Sequence, residues 1–96
     1  MAGKIKDKIT KEKIEKYYKL TSKALKIAKK SIVKEKEIQA HEIIQMVESY
    51  LSDSKFFKEK GDHVNSFGCL NYAHGWLDAG ARLKIFDVDD NKLFTV

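Results

Sequence analysis

The chain has 96 residues, of which 43% are hydrophobic and 34% are charged, and its formal net charge is +5. This length predicts one domain with a modest core, and the hydrophobic fraction excludes an intrinsically disordered chain. A single cysteine excludes an internal disulfide, and no apolar run approaches the roughly 20 residues that cross a bilayer. No apolar stretch follows the basic N-terminus, so we expect a cytoplasmic protein without a membrane segment.

The charge is unevenly distributed. Residues 1–36 carry 13 lysines against four acidic residues, a net of +9, whereas residues 37–96 carry six basic against ten acidic residues, a net of −4. A basic first third beside an acidic remainder indicates either a polyanionic partner or an electrostatic match between segments of the chain.

The first helix is predicted over residues 10–33, with Thr10 as its N-cap. One face is apolar at three- and four-residue intervals: Ile14, Tyr17, Tyr18, Thr21, Ala24, Leu25, Ala28 and Ile32. The opposite face carries a stripe about 27 Å long, here called the lysine ridge, which consists of Lys16, Lys19, Lys23, Lys26, Lys30 and Lys34.

The second helix is predicted over residues 35–60. Its apolar face contains Ala40, Ile43, Ile44, Val47, Tyr50, Leu51 and Phe57, while Ile38 and Phe56 project from the other side. Gly61 is expected to end this helix and Asp62 to cap the next, which is typical of a turn between antiparallel helices.

The third helix is predicted over residues 63–85, with Cys69, Leu70, Ala73, Trp76, Leu77, Gly80 and Leu83 on an apolar arc. Three helices with short connections and no proline predict an all-α, up-and-down three-helix bundle formed by residues 1–96. Residues 87–96 break the helical pattern and are predicted to form a short non-helical tail that folds back over the bundle.

Glycine is the unusual feature of the third helix. Gly68, Gly75 and Gly80 lie inside it, and each costs about 1 kcal/mol relative to alanine. A smooth strip of Gly68, Gly75 and Ala79 runs beside the polar residues Asn71, His74, Asp78 and Arg82, with Tyr72 and Trp76 nearby. Either the strip seats a neighbouring helix and the polar residues face water, or both form a groove for a ligand or partner.

Catalytic and metal-binding patterns are weak. His74 and Asp78 could reach one ion, but a zinc site requires three or four ligands. Asp87, Asp89 and Asn91 match only the opening of a calcium loop, since Lys92 stands where that loop requires glycine. Cys69 on the apolar arc is expected to be inert. We therefore expect no enzyme activity, no cofactor and no metal.

Three functions remain. The favoured one is a non-enzymatic binding or scaffold module that contacts a protein partner, or a copy of itself, through the third helix or exposed residues such as Phe56. The alternative is contact between the lysine ridge and the backbone of RNA or DNA, although lysine is also the common residue of a solvated helix face. The third is a small-molecule or metal site around Asn71, His74 and Asp78.

Two stretches carry a resemblance to a known family. Tyr50–Phe67, with the sequence YLSDSKFFKEKGDHVNSF, and Leu70–Leu83, with the sequence LNYAHGWLDAGARL, resemble an archaeal family catalogued as domain of unknown function 357. The resemblance covers residues 10–96 and is most specific over Asn71–Leu83. Gly68, where the family has a small residue after Phe67, is a mild variation on the family pattern. It implies an archaeal, cytoplasmic, three-helix protein and implies no activity.

Overall fold

Three helices make up most of the described part of the chain. The computed structural model describes residues 8–94 and contains α1 (Lys11–Lys29), α2 (Glu37–Glu59) and α3 (His63–Arg82). The prediction of an all-α three-helix bundle is confirmed. The Cα atoms extend over 50 × 34 × 15 Å, so the bundle is flattened. The helix α3 packs most extensively against α2, and α1 contacts α3 more than it contacts α2.

The local signals at two helix starts act as predicted. The Thr10 hydroxyl accepts a hydrogen bond from the Lys13 N–H at 3.1 Å, and the Asp62 carboxylate accepts one from the Asn65 N–H at 3.1 Å. Gly61 has a φ of +77°, a left-handed conformation that favours glycine, and it separates α2 from α3.

The predicted ends of the first and third helices are wrong. The helix α1 stops at Lys29 rather than Val33, and α3 stops at Arg82 rather than Ile85. The residues that follow them pair with each other, because the Val33 N–H donates to the Ile85 carbonyl at 3.0 Å and the Asp87 N–H donates to the Ser31 carbonyl at 2.7 Å. This tertiary pairing replaces the last turn of both helices.

The second helix, predicted to start at about residue 35, begins two residues later, at Glu37. Glu35 adopts a φ of 75°, which a right-handed helix excludes. The Glu37 carboxylate accepts the Glu35 N–H at 2.8 Å and so satisfies a donor at this corner.

The core includes the end of the chain as well as the helices. Phe86, Leu93 and Phe94 are buried against it. The predicted folding of the tail over the bundle is thus confirmed for the described residues, whereas residues 95 and 96, like residues 1–7, lie outside them. The buried apolar residues are Ile14, Ala24, Leu25, Ala28, Ala40, Ile43, Ile44, Val47, Leu51, Leu70, Ala73, Leu77, Ala81, Ile85, Phe86, Leu93 and Phe94.

A pair of buried serines links α2 to α3. The Ser54 hydroxyl donates to the Ser66 carbonyl at 3.0 Å, and the Ser66 hydroxyl donates to the Ser54 carbonyl at 2.7 Å. Both side chains are fully buried. Since a buried hydroxyl without a partner is costly, this reciprocal pair fixes how the two helices lie against each other.

Trp76 and Leu83 do not belong to the core, contrary to their predicted place on the apolar arc. Trp76 is 38% exposed and Leu83 is 68% exposed. The buried sector of α3 is centred on Leu70, Ala73 and Leu77, so the arc predicted from the sequence is too wide. The excess apolar surface on α3 faces outward.

Candidate docking groove on the third helix

The outer face of α3 carries no net charge over most of its length. The helix is unbroken from His63 to Arg82, and between Val64 and Leu77 it contains no Asp, Glu, Lys or Arg, in a chain that is 34% charged. Exposed helix faces normally carry such residues. This face therefore differs from an ordinary solvated surface.

Two of the three glycines in α3 face open space. A Cβ atom built on Gly68 or on Gly75 would meet nothing within 4 Å. The interpretation that Gly68 and Gly75 seat a neighbouring helix is therefore wrong for the helices that the structure describes. Gly80 differs, because a Cβ there would lie 2.5 Å from the Phe86 ring and 3.2 Å from the Ile43 side chain.

Aromatic side chains form one wall beside the open glycines. The rings of Tyr50, from α2, and Tyr72, from α3, are stacked with centroids 5.3 Å apart and an interplanar angle of 16°. Tyr72 is 65% exposed and Trp76 stands next to it. The resulting shallow depression of about 630 Å³, here called the α3 groove, is lined by Tyr50, Gly68, Asn71, Tyr72, Gly75, Trp76 and Ala79.

Three of the four predicted polar residues of α3 come together. Asn71, His74 and Asp78 line a cavity of about 320 Å³ between α1, α3 and the tail, and Asn71 also lines the α3 groove. Arg82 is exposed at the end of the helix and lines neither. The groove therefore contains Asn71 alone of these four residues.

His74 anchors the C-terminal tail. Its Nε2 lies 2.6 Å from the Leu93 carbonyl and its Nδ1 lies 3.1 Å from the Thr21 hydroxyl. A carbonyl only accepts, so Nε2 carries the proton and, in the neutral ring, Nδ1 accepts from the threonine. The Asp78 carboxylate lies 3.8 Å from Nε2. Both ring nitrogens are thus engaged by the protein itself.

The other candidate chemical groups are dispersed. Within residues 8–94, no three side chains of His, Cys, Asp or Glu come together in a way that could hold a metal ion. Cys69 is half-buried, and burial, followed by the charges of Asp53 and Asp62, raises the pKa of its thiol. A raised pKa lowers the fraction of reactive thiolate.

The lysine ridge is exposed but shorter than predicted. Lys16, Lys19, Lys23 and Lys26 are exposed along α1 and Lys30 is exposed at its C-cap, while Lys34 lies beyond the helix end. The five remaining lysines extend over about 21 Å.

Two other lysines neutralise acidic groups. Lys29 pairs with Glu48 at 2.8 Å, and Lys58 pairs with Glu15 at 3.1 Å. The hydrogen bond and the charge of Lys58 lower the pKa of the Glu15 carboxyl. The ion pairs seen in the described part of the chain thus leave the ridge lysines facing solvent.

Comparison with known proteins identifies a family. The sequence model of a family described as "Protein of unknown function (DUF357)" matches residues 16–86, which is most of the chain and less than the residues 10–96 that the resemblance suggested. No curated protein and no solved structure matches. Among the described helices, none has both the length and the apolar character needed to cross a membrane.

Proposed function

The chain belongs to this family of unknown function, and we propose that it acts as a small non-enzymatic binding module whose α3 groove accepts a helix of a protein partner. One observation carries the proposal: Gly68 and Gly75 lie inside a helix, yet nothing within residues 8–94 occupies the space their missing side chains leave. The proposal includes a cytoplasmic location, which is expected from the single cysteine.

Glycine inside a helix lowers the stability of the fold. Each glycine in a helix interior costs about 1 kcal/mol relative to alanine, against a typical stability of about 5–15 kcal/mol. At Gly80 this cost is offset by the packing of Phe86 against the bare backbone. Gly68 and Gly75 have no such compensation from the residues that the structure describes, so we assign it to a partner that approaches the α3 backbone closely.

The side chains that line the groove are suited to packing against a partner helix. Its lining offers the rings of Tyr50, Tyr72 and Trp76, the amide of Asn71 and bare backbone. Tyr and Trp are enriched among the residues that dominate binding energy at protein interfaces, and charged residues are depleted at the centre of such interfaces. A partner helix with small or apolar residues along one side would satisfy this surface.

Matched glutamine variants test the proposal. Gly75→Gln places a long side chain in the groove, whereas Ser52→Gln adds the same side chain on the exposed face of α2. After cross-linking in a lysate of the source cells, wild type and Ser52→Gln should retain a common partner that Gly75→Gln loses. Recovery of the same proteins by all three would contradict the proposal.

A second candidate function is supported by the lysine ridge. Five exposed lysines along about 21 Å can neutralise phosphates of a nucleic acid backbone without reading its sequence. The charge distribution supports this, because the net positive charge of the chain lies in its first 36 residues.

The salt dependence of binding to duplex RNA and DNA tests this candidate. Five phosphate contacts predict that the logarithm of the binding constant falls with the logarithm of salt with a slope of about −4.5. Replacing Lys19, Lys23 and Lys26 by glutamine should reduce this slope by about 3, while the same change at Lys55, Lys60 and Lys92 should leave it unaltered. Equal effects of both triple variants would contradict a role for the ridge.

A further inference from the structure

We propose that the helix that fills the α3 groove is α3 of a second copy of this chain, packed antiparallel about a two-fold axis. This inference rests on the proposed docking function and names its partner. The charge and the shape of the surface support a second copy as the partner, and its area indicates a reversible contact.

The lack of charge on the outer face of α3 limits which helices can pack against it. Since the outer face of α3 has no charged residue between Val64 and Leu77, a partner helix with charges at its centre would lose their hydration without gaining an opposite charge. The outer face of α1 is the lysine ridge, and the exposed face of α2 carries Glu42, Asp53 and Glu59. Among the helices of this protein, α3 alone offers an uncharged face of matching length.

In an antiparallel pair of α3 helices, the small residues of one copy lie opposite large or small residues of the other. With the two-fold axis between Ala73 and His74, Gly68 of each copy lies opposite Ala79 of the other, which allows the two backbones to approach closely at two places. Tyr72 of each copy then lies opposite Gly75 of the other, so a large ring meets a position without a side chain. Large residues therefore meet small ones, as in knobs-into-holes packing.

The surface that α3 offers to a partner is small. A helix of 20 residues is about 30 Å long and about 12 Å wide, so α3 offers roughly 400 Å² per copy. The total of roughly 800 Å² lies below the about 1,200 Å² of stable interfaces and falls among weak, transient ones. An interface of this size fits a reversible dimer rather than a permanent one, and a dissociation constant in the micromolar range is what the sedimentation experiment below tests.

The position of the charges predicts how salt affects the dimer. The lysine ridge lies on α1, so an antiparallel α3–α3 contact forms no ion pair between the ridges. Because the two-fold axis places Arg82 of each copy opposite Asn65 of the other rather than opposite a like charge, higher salt should change the dimer little. Nucleic acid binding by the ridge should instead weaken steeply as salt rises.

Engineered disulfides test the orientation, in the full chain with Cys69→Ala. The double variant Gly68→Cys, Ala79→Cys should form a covalent dimer on oxidation, because each new thiol lies opposite one in the partner. Either single variant should form no covalent dimer, since two copies of one position lie about 16 Å apart along the helix. Cross-linking of the single variants as efficiently as the double would overturn the antiparallel arrangement, as would the absence of cross-linking in all three.

Sedimentation separates failure of this inference from failure of the proposed function. Wild type and Ser52→Gln should change from monomer to dimer between about 10 μM and about 1 mM, while Gly75→Gln should remain monomeric. If wild type is monomeric throughout and Gly75→Gln still loses a partner captured by Ser52→Gln, the second copy is excluded and the docking function stands. If wild type is monomeric and capture is equal for all three, both proposals fail.

Discussion

Two regions of α3 contain glycine, and they use it differently. Near the end of the helix, Gly80 leaves room for the Phe86 ring, which is fully buried and belongs to the junction between α1 and α3. In the middle of the helix, Gly68 and Gly75 leave room that no residue in the described part of the chain fills. The same residue type therefore allows close packing in one region and leaves open space in the other.

This difference distinguishes structural from functional use of a small residue. Replacing a glycine that packing requires should destabilise the protein. Replacing a glycine that is kept for a partner should stabilise the free protein, because alanine favours the helix. The sign of the stability change at each position is thus a direct test, and the effects below are ordered from the largest to the smallest.

Gly80→Ala should destabilise the protein by about 2 kcal/mol, since overpacking a core typically costs 1–3 kcal/mol and exceeds the gain in helix propensity. Chemical denaturation followed by circular dichroism measures this free energy of unfolding. Because the clash is with the Phe86 ring, adding Phe86→Leu should cost less in the Gly80→Ala protein than in wild type. Additive effects of the two changes would show that Gly80 does not act through Phe86.

His74→Leu tests the tail beside the groove and should destabilise by about 1–2 kcal/mol, because the Leu93 carbonyl and the Thr21 hydroxyl lose their partner. His74→Gln, which can still donate to the carbonyl, should cost less. Hydrogen exchange of the Phe94 amide, which donates to the Asp90 carbonyl, should be faster in His74→Leu. Equal stability of the leucine variant and wild type would rule out the anchoring role.

Gly68→Ala and Gly75→Ala should each stabilise the monomer by roughly 0.5–1 kcal/mol, since the new methyl group meets no atom and the helix propensity improves. The same denaturation measurement, made at a low protein concentration where no dimer forms, checks the sign. Destabilisation by either change would mean that the fold itself needs these glycines, and the contrast with Gly80 would disappear.

Cys69 lies on α3 but does not line the groove, and it should show the smallest effect. Its half-buried thiol with a raised pKa should be alkylated several-fold more slowly in the native protein at pH 8 than in the unfolded chain. The native rate should still rise with pH as the thiolate forms. Equal native and unfolded rates would place Cys69 at an open surface instead.

Much of the fold was predictable because its signals are local. The capping residues Thr10 and Asp62 and the left-handed Gly61 are recognisable by residue type alone, and the three- and four-residue spacing of apolar residues locates the buried faces. The helix ends near Val33 and Ile85 were not predictable, because the pairing that replaces them joins segments over 50 residues apart.

The candidate site was predictable only in part. The glycine spacing in α3 identified Gly68, Gly75, Asn71, Tyr72 and Trp76, all of which line the groove. Tyr50 was missed because its apolar spacing places it on the buried face of α2, and its stacking on Tyr72 depends on how the two helices pack. His74 was grouped with the groove, since the sequence carries no signal that the tail returns to it.

Trp76 gives the most direct test of the central claim that the α3 face is a docking surface, because it is the only tryptophan and lines the groove. Its fluorescence emission should be recorded as wild type is diluted from about 1 mM to about 10 μM, a range that includes a micromolar dissociation constant. We expect the emission to move to longer wavelengths on dilution, as the indole returns to water, and to stay constant in Gly75→Gln. An emission maximum of wild type that does not change with concentration, while sedimentation shows association, would place the interface elsewhere and contradict the account.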